Sequence, residues 1–211
     1  GNRVIHDLPI THGIADAHVQ RDLVKPWDLH RIVVSELLDQ LPRDVVMLNW
    51  HYEATGGDME RTGEIAASGL EFVVCPGTSG WISHGTRLDN SMGNVANFAK
   101  QGRKHGAAGL LNTDWGDNGH ANFLGVSLHG YAHGAAHAWN GRAVDDATFT
   151  ETFCFHAFGQ TDRRMARAIR TLGSSYHHTH KTESPAGVLY HTLFEPLHRP
   201  DGSWNRTFMG E

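Results

Sequence analysis

Residues 45–50 read VVMLNW, and two segments of the same kind follow, EFVVC at 71–75 and AAGLLNT at 107–113. Each is a short apolar run between turn formers, the pattern of a strand covered on both faces of a parallel sheet. Helical stretches lie between and around them. Leu29, Ile32, Val33, Leu37 and Leu38 share one face of a helix from Trp27 to Leu41, which Pro42 stops. Residues 59–68 are weakly helical and end at Gly69. Asp89 or Asn90 can cap a helix that closes near Gly106, where Lys104 and His105 suit the C-terminal dipole. A Gly- and Ala-rich helix runs from about 124 to 139. Residues 1–25 carry little periodicity and are expected to be mostly irregular.

Strand, loop and helix thus alternate three times, which predicts right-handed crossovers and an α/β fold with a parallel sheet. Past Trp139 the strands stop: residues 145–158 and 161–174 read as helices, and 176–211 as a His-rich tail with one short strand at 187–193. A closed eight-stranded barrel typically takes ~250 residues and ~200 at the least. With three strands in the first 140 positions, either the sheet is open or the chain is the last part of a β/α (TIM-type) barrel, with three to four parallel strands and C-terminal helices. The corresponding division is 1–140 as barrel portion and 141–211 as helical extension with an irregular tail. In that reading the strand at 45–50 exposes an unpaired edge, and the remainder of a barrel or a second copy of the chain is expected to cover it.

Composition excludes several functions. The 211 residues carry 18 Lys+Arg against 23 Asp+Glu, a net charge of −5, with no basic run, which argues against nucleic acid and acidic lipid as partners. No apolar run approaches the roughly 18 to 20 residues that span a bilayer, and the polar start GNRVIHDLPITHG does not read as a signal peptide. A soluble, by default cytoplasmic, protein is expected. Cys75 and Cys154 each sit in an apolar segment and read as small buried hydrophobes, not as a disulfide framework.

In parallel β/α folds ligands bind at the carboxyl ends of the strands, so the segments after Trp50, Cys75 and Thr113 carry the functional reading. NWHYE (49–53) packs an indole, an imidazole, a phenol and a carboxylate into five residues. Strand alternation sends Trp50 and Tyr52 one way, His51 and Glu53 the other. The plainer alternatives are a core Trp50 and a solvated Glu53. CPGTSGWISHGTRLDN (75–90) is a Gly-rich loop around Trp81, suited to stacking an indole on the C–H face of a sugar, unless Trp81 packs back on the protein; neither phosphate-loop pattern is present. NTDWGDNGH (112–120) sets Asp114 and Asp117 on either side of Trp115, with His120 beyond: acids for sugar hydroxyls beside a ring for the apolar face. The alternative there is a turn fixed by Asx hydrogen bonds. A calcium-loop reading is weaker still, because the remaining ligand positions of an EF-hand and its terminal Glu are absent.

His129, His133 and His137 recur at i, i+4 and i+8 on the following helix and share a face. Three turns are too spread for one ion without help from elsewhere, so packing or surface roles are expected in preference to metal ligation, and no metal or cofactor is assigned. His177, His178 and His180 are expected to be exposed.

LPRDVVMLNWHYE, GLEFVVCPGTSGW and HGAAGLLNTDWGDNGH, followed by GYAHGAAHAW, together resemble the C-terminal half of the catalytic barrel in bacterial family 20-like glycoside hydrolases, the β-N-acetylhexosaminidase group. The resemblance spans roughly residues 40–140 and is most specific in TDWGDNGH. It implies that the three strands are barrel strands six to eight. It also implies that Trp50 and Trp115 wall the sugar site and that Asp117, where many relatives carry Glu, holds sugar hydroxyls. The loop after strand seven often supplies a Tyr to the acetamido oxygen; here it offers Trp81, so that role passes to Tyr52. The family's retaining mechanism uses the substrate's acetamido oxygen as nucleophile beside an Asp-Glu pair. No Asp-Glu dipeptide occurs in these 211 residues, so the catalytic residues are unassigned and the acid is expected outside the chain. The competing expectations are a carbohydrate-binding protein without catalysis and a His-rich metal-dependent hydrolase.

Overall fold

A computed structural model describes residues 3–5, 38, 40–55, 61–116, 123–178 and 190. The described strands are β1 (Arg3–Ile5), β2 (Val45–Trp50), β3 (Glu71–Cys75) and β4 (Gly109–Leu110). The helices are α1 (Arg61–Ala67), α2 (Leu88–His105), α3 (Leu124–Asn140), α4 (Phe149–Phe158) and α5 (Arg164–Gly173), with a 3-10 turn at Ser175–His178. The four strands form one parallel sheet in the sequential order β1-β2-β3-β4. This is the mixed α/β architecture that alternation predicts.

Of residues 1–25, expected to be mostly irregular, the described ones, Arg3 to Ile5, form a strand paired with Val45 to Met47. The edge expected to be open at 45–50 is therefore covered from within the chain, and the reason for seeking a partner there falls away. Three residues without alternation leave too little pattern for a strand to be read. Tyr190, in the middle of the strand expected at 187–193, is helical; the rest of that segment lies outside the described residues, as do His180 and all of the expected 27–41 helix except Leu38, Gln40 and Leu41.

β4 is only two residues long, yet the expected strand at 107–113 does run beside its neighbour. Ala108 N–H donates to Phe72 O, Leu111 N–H to Val74 O and Thr113 N–H to Pro76 O, at 2.8, 3.0 and 2.9 Å. The main core lies between this sheet and the helices: Val45, Phe72 and Val74 from the strands meet Leu38, Ile65, Leu70 and the fully buried Phe98. α2 ends where sequence places its end, at Gly106, whose φ of 77° is the left-handed cap conformation open to glycine. α4 starts at Phe149 and not at 145, because the Asp145 carboxylate takes Ala147 N–H and Thr148 Oγ1–H and holds a turn there. α4 then packs on α3 and α5 through Phe149, Phe153, Cys154, Ala132, Ala166 and Ile169. Both cysteines are free and buried.

Candidate functional site

The three loops at the carboxyl ends of β2, β3 and β4 converge, and Tyr52 stands at their centre. Its ring stacks on Trp50 (centroids 5.3 Å apart, 22° between planes) and meets Trp81 and Trp115 edge-on at 5.1 and 6.2 Å. Trp50 and Tyr52 therefore do point the same way, as strand alternation requires. Trp50 is 55 % exposed and Trp115 47 %, so two indoles offer open surface on either side of a half-buried phenol. Trp50 is not a core residue.

Trp81 is placed differently from its expected stacking role. At 3 % exposure it packs with Ile82, Tyr190 and Tyr52, and forms the floor behind the phenol. Its loop is bent to put it there: Ser79 and Ile82 have φ of 54° and 47°, a conformation costly for a β-branched residue. Arg87 N–H to Ser79 O (3.1 Å) and Thr86 Oγ1–H to Val126 O (2.7 Å) hold the bend.

The carboxylates differ in availability. Glu53 receives both terminal nitrogens of the buried Arg87, at 3.2 and 2.6 Å, and so is no free solvated acid; Arg87 in turn lies 5.4 Å over the Tyr176 ring. Asp114 Oδ1 accepts Thr78 Oγ1–H at 2.5 Å, which ties the β4 loop to the β3 loop. Burial first, and the charge of Asp114 second, push the Tyr131 phenol up, which brings a residue of α3 into the same neighbourhood. Asp117 and His120 lie outside the described residues.

Sequence reasoning missed the residues that hold these loops in place. Asn90, Asn94 and Asn97 recur at i, i+4 and i+7 along α2. Asn94 Nδ2 donates to His51 O and Glu53 O (2.8 and 2.9 Å) while its Oδ1 accepts Gly77 N–H at 3.0 Å. Asn90 joins Tyr52 O to Ser79 Oγ through Nδ2 and takes Ala54 N–H on Oδ1, and Asn97 bonds Ala54 O. Asparagine is a poor interior helix residue, so three on one face were the signal.

A second constellation lies on α3. His129, His133 and His137 are all buried, which overturns a surface role. Asp146, from the turn before α4, sends Oδ1 to within 2.7 Å of His133 Nε2 and 3.0 Å of His137 Nε2. His129 Nε2 faces Thr150 Oγ1 at 3.2 Å instead. Burial, then the neighbouring His133 and Arg170, push the His129 imidazole down to about 4. Burial also lowers His133, against the pull of Asp146. For Asp146 burial acts upward, but the bonds from the two imidazoles win and hold it below its ordinary value.

Comparison with protein-family models, with curated proteins and with solved structures finds no match for this chain. Among the described residues no helix is long and apolar enough to cross a membrane.

Proposed function

We propose that the convergent loops form the sugar-binding wall of a retaining, β-N-acetylhexosaminidase-like glycosidase built on a β/α barrel, whose Asp-Glu pair lies outside these 211 residues. The observation that carries this reading is the group of Trp50, Tyr52 and Trp115 at the carboxyl ends of parallel strands, with both outer indoles open to solvent. A hexose presents an apolar C–H face and a polar rim. Trp50 and Trp115 supply the matching apolar faces, the Tyr52 hydroxyl reaches an acetamido oxygen, and Asp114 accepts from ring hydroxyls. Trp81 supports from behind.

The test is titration of the chain with N-acetylglucosamine, followed by tryptophan fluorescence. Covering roughly 70 Å² of indole at ~25 cal/mol per Å² is worth about 1.8 kcal/mol, so Trp115→Ala is expected to weaken binding roughly twentyfold. Equal affinity in wild type and variant sinks the proposal. Release of a chromogenic leaving group from an N-acetylglucosaminide by this chain alone would instead overturn the placement of the acid. Sugar binding that persists when the chain is joined to an Asp-Glu-bearing segment, still without turnover, favours a carbohydrate-binding protein.

A further inference from the structure

The histidine row on α3 takes no part in the aromatic site, and its geometry supports a different chemistry. Two imidazoles one helical turn apart and one carboxylate bring Nε2 of His133, Nε2 of His137 and Oδ1 of Asp146 to within 4.8 Å of one another. We infer that these three atoms form a binding site for a divalent transition-metal ion of the zinc class.

The donor set selects the ion. Imidazole nitrogen suits Zn²⁺ and its neighbours in the first transition row, whereas Ca²⁺ and Mg²⁺ require oxygen ligands. Around tetrahedral zinc, with ligand bonds of about 2.0–2.1 Å, neighbouring donors stand roughly 3.3 Å apart. The observed nitrogen–oxygen separations of 2.7 and 3.0 Å need to open by a few tenths of an ångström, and the widest separation of the trio, up to 4.8 Å between the two imidazoles, has to close by rotation of the rings. Asp146, whose side chain is 46 % exposed while both histidines are buried, gives the ion its entry path from the surface.

The local sequence builds this arrangement. In the Asp145-Asp146 pair the first carboxylate fixes the turn through Ala147 and Thr148, and the second is thereby directed back to α3. A bound ion would join that turn to α3 and hold α4 on its packing surface. Three protein ligands leave a fourth position for water or an exogenous ligand. His129 stays outside the set, since its Nε2 faces Thr150.

The outer shell limits affinity. With Nε2 on the metal the imidazole proton sits on Nδ1, and Nδ1 of His133 and of His137 is buried without a hydrogen-bond partner among the described residues. Metal-bound histidines whose other nitrogen lacks such support lose about 10–100-fold in affinity relative to fully supported ones.

The experiment is a Co²⁺ titration of the untagged, EDTA-stripped 211-residue chain, read by the visible d–d absorption of a four-coordinate site and by competition with Zn²⁺. Expected are saturation at one equivalent, displacement by Zn²⁺, and a rise in Tm with Zn²⁺. Asp146→Asn keeps the shape and one acceptor; it is expected to keep the metal-free circular dichroism, with a lower metal-free Tm for the charge lost beside two imidazoles, and to lose at least about tenfold in affinity together with the d–d band. Should that variant fail to fold, His137→Asn is read by the same signals. No saturable band in the wild type, or a band unchanged in a folded variant, overturns the site and assigns the cluster to packing alone.

Discussion

At the carboxyl ends of β2, β3 and β4 the polar groups are already committed to one another and the aromatic faces are left open. On α3 the imidazoles are closed in and one carboxylate reaches them from the surface. In the first region Arg87 neutralises Glu53, Thr78 bonds Asp114, and three asparagines take up the loop backbone, while Trp50 and Trp115 face solvent. In the second, Asp146 serves two buried rings at once. Fixed polar scaffolding with exposed apolar surface suits an uncharged ligand that has its own apolar face. Buried nitrogens under a half-exposed carboxylate suit a small cation. Both regions meet α3, which contributes Tyr131 to the neighbourhood of Asp114 and the histidines to its other side.

The most severe way to break the contrast is to remove the scaffold of the first region. Asn94 is fully buried and makes three hydrogen bonds to loop backbone. Asn94→Ala leaves Gly77 N–H and two carbonyls unpaired at about 1–3 kcal/mol for each buried group, partly relieved by water. A loss of about 3 kcal/mol is expected in urea unfolding, with the near-ultraviolet tryptophan signal altered because the loops carrying Tyr52 and Trp81 lose a common anchor. A change below about 1 kcal/mol would show that the loops hold their own shape.

The second region should instead reveal itself through pH. His129 titrates at about 4 in the folded protein against an ordinary 6.5. Its folded value lies below its unfolded value, so the group costs nothing well above pH 6.5. As pH falls through 6.5 the unfolded chain takes up a proton that the folded chain refuses. Stability therefore declines and levels off only below about 4. Between about pH 7 and about pH 5 the expected loss is about 2 kcal/mol for metal-free protein. His129→Leu, against the same Phe149 and Phe153 rings, should remove most of that slope even though it costs Thr150 its partner. An unchanged slope would place the titration elsewhere.

What the sequence reveals differs between the two regions for the same physical reasons. The strands from 45 onward are legible as short apolar runs between turn formers, and α2 is legible at its Gly106 end; the cap expected at Asp89 or Asn90 is not formed, since α2 starts at Leu88 with Arg87 at its N-cap and no side-chain cap bond. β1 is not, since three residues without alternation carry no period. The aromatic convergence is legible from position alone: NWHYE and NTDWG follow strands, and parallel strands deliver their ends to one side. Whether an indole is open or covered is not, because Trp81 is buried by Ile82 and Tyr190, the latter more than a hundred positions away. The histidine spacing is legible, while nothing in the local pattern singles out Asp146 as its companion. Their meeting depends on how α4 packs back on α3, a tertiary fact that helical periodicity does not encode.

The smallest effect concerns a pair of neighbours. Trp50 and Cys75 are register partners at the tips of β2 and β3, yet the indole is 55 % exposed and the thiol 2 %. Burial pushes the Cys75 thiol up to about 12, so at about pH 8 roughly one molecule in ten thousand carries the reactive thiolate. Burial likewise raises Cys154. Native protein treated with iodoacetamide should show no labelling at either cysteine over hours, while acrylamide readily quenches tryptophan fluorescence; both cysteines should label once denaturant is added. Rapid native labelling at Cys75 would mean that the β3 tip opens along with the β2 tip. The Trp81 floor would then not be fixed, and the aromatic wall would need a ligand to assemble it before it could bind one.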